Sequence, residues 1–186
     1  MRSTSEVTRA PYDSAGHRLA RRLWAAPGCR GTVEPVKRPP PPLLALLAGL
    51  AQQAWTSPTP PSAPRRALAV ATAAASVGLA GAAASQFHAH HTTVEPFDPS
   101  KASTLVVSGA NSVSRNPMYV GMAGLLVANA IRLRDWRTLL PLAAFVATID
   151  RFQIAAEEKA LAEKFGADYA AYRSTVPRWI GARSVR

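Results

Sequence analysis

Residues 67–87 read ALAVATAAASVGLAGAAASQF, twenty-one consecutive positions without a charged side chain. As a helix rising 1.5 Å per residue, the run is about 30 Å long, the thickness of a bilayer's hydrocarbon core. Alanine, the best helix former, supplies much of it. Arg65 and Arg66 stand immediately before it. This stretch predicts a transmembrane helix and, with it, a membrane protein.

The rest of the chain fits that reading. Of 186 residues, 48% are hydrophobic and 18% charged, and the two kinds are segregated into blocks rather than alternating. Three further apolar blocks occur, at Leu43–Trp55, Met118–Ile131 and Leu139–Ile149, the last running on through Phe152. The first is the weakest, being short and carrying Gln52 and Gln53. The connector Arg132–Arg137 is short enough to make the last two blocks an antiparallel helical hairpin. The expected fold is all-α, with about four transmembrane helices and a C-terminal amphipathic helix.

Residues 1–38 are polar and arginine-rich, with no apolar core that would make a secretory signal. They are expected to form a disordered basic tail, followed by the stiff spacer Pro39–Pro42. Residues 39–186 then form the membrane-embedded domain. The net charge of +11 raises the question of nucleic acid. However, the basic residues form no stripe interleaved with aromatics, and no nucleic-acid motif is present. The single cysteine, Cys29, makes neither an internal disulfide nor a thiolate cluster.

With four spans, the tail, the 88–117 connector and the C-terminal segment share one membrane face. That face carries seventeen Lys and Arg against five on the other, and nine against five without the tail. The positive-inside rule places it in the cytoplasm. The topology also brings SRNPMYVG, residues 114–121, near Glu157 and Glu158.

SRNPMYVG reads as a helix start. Asn116 is a preferred N-cap residue, and Pro117 at the first helical position loses no hydrogen bond. The first turn offers backbone N–H groups and a partial positive charge to an anion, and Arg115 adds a full charge beside it. A capped membrane helix with an interfacial arginine meets the same description. Glu157, Leu161 and Phe165 recur at helical spacing, which puts a carboxylate on an apolar face where it needs a partner. Arg115 or a cationic ligand would serve; a solvated first-turn glutamate is the plainer alternative. Glu163 has Lys159 four residues earlier as a surface partner. His88, His90 and His91, with Glu95 and Asp98 nearby, match no defensible metal-ligand spacing, and no metal is expected.

Three segments in this order carry a resemblance: TTVEP (92–96), STLVVSGANSVSRNPMYVG (103–121) and AAEEKALAEKFGADYAAYRSTVPRWI (155–180). Together, with the hairpin between the second and third, they resemble the isoprenylcysteine carboxyl methyltransferase family, which is related to the phospholipid N-methyltransferases. The resemblance implies a multi-span membrane enzyme using S-adenosylmethionine. It places the cofactor against Ser103, Thr104, Leu105 and Val106, largely through backbone, and against Asn111, Asn116, Pro117, Met118, Tyr119 and Glu157. Arg115 and Glu157 become the candidate catalytic residues. Gln153 takes the substrate-binding position, where eukaryotic members of that family carry an arginine for the substrate carboxylate. Gln lacks the charge-assisted fork of Arg. The implied reaction is carboxyl O-methylation of a small lipophilic acceptor. N-methylation of a phospholipid or another amine is the alternative within the class, and a non-enzymatic membrane protein is the alternative outside it.

Overall fold

The computed structural model describes residues 39–56, 60–89, 105–181 and 184. The basic tail, the TTVEP segment, His90 and His91 of the histidine cluster, Ser103 and Thr104 lie outside the described residues. Every described element is a helix, with no strand among the described residues.

Helix α1 spans Pro41–Ala54 and α2 spans Ala63–Ala89. A single turn, α3, covers Ala110–Val113, and α4 spans Pro117–Leu133. A 3-10 turn at Trp136–Thr138 leads into α5, Leu139–Thr148. The chain then continues through a π-helical stretch, Ile149–Ile154, into α6, Ala155–Thr175. The four apolar blocks read from the sequence are α1, α2, α4 and α5.

Local chemistry sets most boundaries. Prolines open α1 and α4, where a missing N–H costs nothing. Helix α4 stops at Arg134, which takes the left-handed conformation at φ 56° and returns its N–H to the Ala130 carbonyl at 3.0 Å. Asp135 then caps the 3-10 turn by accepting from the Arg137 N–H at 2.9 Å. The turn between α4 and α5 is thus closed by its own residues, as the short connector predicts.

Helix α2 runs antiparallel to α4. Its Gln86 lies by Asn111, just ahead of α4, while its Ser76 lies against Gly121 and Gly124. The approach is close: a Cβ at Gly121 would fall 2.7 Å from the Ser76 carbonyl oxygen and 2.8 Å from the Ala80 Cβ. Small residues let membrane helices meet backbone to backbone, where apolar side chains gain little over lipid. Helix α1 runs parallel to α4, because Gln52 near its end bonds the Leu126 and Thr138 carbonyls. The main core lies among α1, α4, α5 and the π-helical stretch, built on Ala48, Tyr119, Leu126, Phe145, Ile149 and Ile154.

The outside of the bundle carries many large apolar side chains. Leu46, Leu50, Leu68, Val70, Val77, Leu125, Leu139 and Leu140 are all exposed. Among the described residues, two helical stretches, Ala63–Gln86 and Trp136–Thr175, are long and apolar enough to cross a membrane. Helices α4 and α1 are shorter, at 17 and 14 residues. That makes them about 26 and 21 Å long at 1.5 Å per residue.

Candidate functional site

The bundle end at the start of α4 gathers the ionisable groups. Tyr119, in the first turn of α4, is buried and donates its hydroxyl to Glu157 Oε1 at 2.6 Å. Gln153, also buried, donates its amide to the same oxygen at 2.7 Å. Three residues expected at the site therefore meet at one carboxylate oxygen. The contact depends on the π-helical stretch. A π turn re-phases the residues that follow it, and such turns recur at functional sites. Here the turn supplies Gln153, and α6 supplies Glu157 one turn later.

Arg115 is not the partner of Glu157. It bonds the neighbouring Glu158, Nη2 to Oε1, at 2.6 Å, and both side chains are about nine-tenths buried. Arg115 Nη1 also donates to the Val176 carbonyl at 2.6 Å, and the Arg115 N–H to the Pro177 carbonyl at 2.9 Å. Its Nε is buried without a hydrogen-bond partner among the described residues. Counting helical repeats puts Glu157 inward, but Glu158 is the more deeply buried of the two because it meets two arginines.

The second arginine is Arg178, beyond the end of α6. Its Nε donates to Glu158 Oε1 at 3.1 Å, and its Nη2 pairs with Oε2. Its Nη1 reaches both oxygens of Asp150, at 3.1 and 3.2 Å. Hydrogen bonds to Glu158, then to Asp150, raise the Arg178 pKa above its ordinary value against the effect of partial burial. Trp179 adds an indole N–H to Asp150 at 2.9 Å. The Arg178 carbonyl accepts from Ser114 Oγ at 2.9 Å and from the Asn116 amide at 3.0 Å. One residue thus ties the start of α4, the π-helical stretch and α6 together.

This arrangement corrects the expected cap. Asn116 occupies the N-cap position, but its side chain makes no cap bond. It donates to Arg178 instead, so the first-turn N–H groups of α4 are not closed by the side chain that precedes them. Pro117 is buried and Met118 half-buried beside Tyr119.

Asn111 is buried, donates to Gln86 at 3.3 Å and accepts the Tyr172 hydroxyl on its carbonyl at 2.6 Å. Leu105 packs on a second apolar cluster formed by Tyr169, Tyr172 and Val176, and Val106 is buried. An open hollow of about 860 Å³ lies beside them, lined by Leu105, Val107, Ser112, Phe165, Tyr172 and Val176. Leu105 and Asn111 therefore contact the second half of α6, and Tyr119 and Gln153 contact its first turn. Gly166 separates the two halves with φ 49°, a backbone that glycine adopts without strain. No group of three or more His, Cys, Asp or Glu that could hold a metal occurs among the described residues.

Asp150, Arg178 and Trp179 were not singled out by sequence, and Glu158 was read only as the neighbour of Glu157. Arg178 and Trp179 lie in irregular backbone where no periodicity points at them. The RW pair after V-P was the available signal.

Comparison with known proteins bears on this end of the bundle. The phospholipid methyltransferase family model matches residues 64–168, more than half of the chain. The match runs from α2 through the hairpin and into α6, and it includes Tyr119, Gln153, Glu157 and Glu158. An uncharacterised protein of Haemophilus influenzae is 36% identical over 63 residues, which is 34% of this chain and the whole of that relative. No solved structure matches the chain. The chain belongs to the phospholipid methyltransferase family, which is related to the isoprenylcysteine carboxyl methyltransferases.

Proposed function

We propose that the protein is an integral membrane methyltransferase of the isoprenylcysteine carboxyl methyltransferase type, using S-adenosylmethionine on a small lipophilic acceptor. The observation that carries this reading is the meeting of Tyr119, Gln153 and Glu157 at the uncapped start of an apolar helix. The groups present fit the cofactor. Arg115 Nε is a buried donor without a partner among the described residues, next to the α4 start, and the first-turn N–H groups lie close by. Both suit the cofactor's carboxylate. Glu157 suits its ammonium or hydroxyl groups, and Leu105 and Val107 offer apolar surface at the neighbouring hollow.

When bound, the cofactor supplies an electrophilic methyl on a sulfonium, so transfer needs neither a metal nor a covalent enzyme intermediate. The chain's task is to place the acceptor in line and keep water out. Tyr119 and Gln153 fix the Glu157 carboxylate from two sides. Arg115 spends its Nη atoms on Glu158 and the Val176 carbonyl, which leaves Nε as the donor it offers the cofactor. The apolar exterior allows an acceptor to arrive from the bilayer, and the larger count of Lys and Arg on this face favours a cytoplasmic site.

Amine N-methylation, as on a phospholipid headgroup, is a second reading of the acceptor. The neutral amide of Gln153 favours it, because an acceptor carboxylate would find no guanidinium fork at that position. Incubating membranes that contain the protein with labelled methyl donor tests both readings. A base-labile labelled ester supports O-methylation, a base-stable methylamine supports N-methylation, and no labelled product above control membranes overturns the enzyme reading.

A further inference from the structure

The opposite end of the bundle carries a second polar cluster, built differently. Gln52 is fully buried and fully used: its amide donates to the Leu126 and Thr138 carbonyls at 3.1 and 2.9 Å, and its oxygen accepts from Asn129 at 2.8 Å. The Asn129 oxygen in turn accepts from Gln53 at 3.3 Å and from Arg132 Nη2 at 2.9 Å. The chain of bonds therefore runs from a dry interior to a cation at the surface. Arg65, Arg66, Arg134 and Arg137 share this end with Arg132, and Asp135 is their acidic neighbour, paired with Arg137. Among the described residues no carboxylate pairs with Arg132. Trp55 and Trp136, both exposed, sit at the same level, as aromatics do at headgroup depth.

A groove of about 480 Å³ between α1 and α4 ends at this cluster. Its walls are Leu46, Leu50, Leu125 and Leu126, Gly49 forms its floor, and Gln53 and Asn129 close its polar end. We propose that this groove binds an anionic phospholipid of the surrounding bilayer, with an acyl chain along the leucines and the phosphate at Arg132. Charge complementarity selects the occupant. The groove's own lining carries no charge, and Asn129 at its polar end holds the Arg132 guanidinium at headgroup depth, where basic residues attract anionic lipid. A groove of similar size, about 460 Å³, lies between α1 and α5. It is lined by Leu44, Leu47, Ala144 and Phe145, has no amide holding an arginine at its end, and serves as the internal control. The proposed site is separate from the Tyr119–Glu157 constellation and does not depend on the methyl-transfer reading.

The test is thermal unfolding of the purified full-length protein in detergent, with added dioleoyl phosphatidylglycerol or dioleoyl phosphatidylcholine. The expected result is a larger rise in Tm with phosphatidylglycerol. Arg132→Gln should remove that excess, and so should Gly49→Leu, which fills the floor. A Cβ at Gly49 meets only Leu126 Cδ2, at 3.7 Å, so the backbone has room for it. Ala144→Leu in the control groove and Arg173→Gln at the other end should both keep the excess. Equal stabilisation by the two lipids, or selectivity surviving in Arg132→Gln, overturns the proposal. So does equal stabilisation by inorganic phosphate alone, or a lipid-independent dimer cross-linked through the groove.

Discussion

The two ends of the bundle both bury polar side chains, yet in opposite ways. At the end of α4, buried Gln52 and half-buried Asn129 satisfy one another and two backbone carbonyls. No charge enters the interior, and the amides lock α1, α4 and the start of α5 at fixed heights. At the start of α4 the buried groups are ionised: Arg115 and Glu158, with Arg178 and Asp150 half-buried against them. Burying charges is expensive even when they are paired, so such a network is a poor way merely to hold helices together. What it does here is fix the start of α4, the π-helical stretch and α6 in one register, which sets Tyr119 and Gln153 on Glu157. On the proposed function, the amide-bonded end serves packing and the ion-paired end places Tyr119, Gln153 and Glu157.

The comparison breaks most visibly at Glu158. Glu158→Ala leaves two arginines facing each other without their shared carboxylate, and should cost about 3–5 kcal/mol. Unfolding in detergent would read this, together with a loss of methyl-donor affinity. If it costs no more than a change at the neutral end, the charged network has been overvalued. Gln52→Ala should come next. It strands two carbonyls and the Asn129 amide, at about 1–3 kcal/mol. It should leave donor affinity unchanged, and a large affinity loss in a folded variant would erase the distinction between the ends.

Tyr119→Phe sharpens the comparison within the charged end. One hydrogen bond is lost, about 0.5–1.5 kcal/mol in stability. Donor affinity should fall by about tenfold, the equivalent of one such bond, in equilibrium dialysis. Lys159→Ala should do least. Its partner Glu163 lies at 3.9 Å with both side chains exposed. The change should stay within about 0.5 kcal/mol, as exposed pairs do, and Tm in detergent is the check.

Much of the bundle was legible in the sequence, because apolar blocks and prolines act locally. The uncharged run 67–87 lies within α2, Pro117 opens α4, and the short connector makes the α4–α5 hairpin. The pairing of SRNPMYVG with the Glu157–Glu158 region also followed from topology. The site's details were less legible. Glu157 and Glu158 are adjacent, and which of them turns inward depends on a π-helical stretch that a 3.6-residue count does not register. The partner of the buried glutamate sits partly at Arg178, outside any helix. The expected Asn116 cap failed because a backbone carbonyl 62 residues away competes for its amide. Gln52 weakens the first apolar block on a hydropathy count, yet it is the residue that anchors α1.

The central claim is that the carboxylate held by Tyr119 and Gln153 receives the methyl donor. Equilibrium binding of S-adenosylmethionine to the detergent-purified protein and to Glu157→Gln tests it directly, with circular dichroism confirming that both are folded. The account predicts saturable binding to the unaltered chain and a loss of tenfold or more in Glu157→Gln. Absence of binding by the folded unaltered chain, or equal binding by the two, would contradict it.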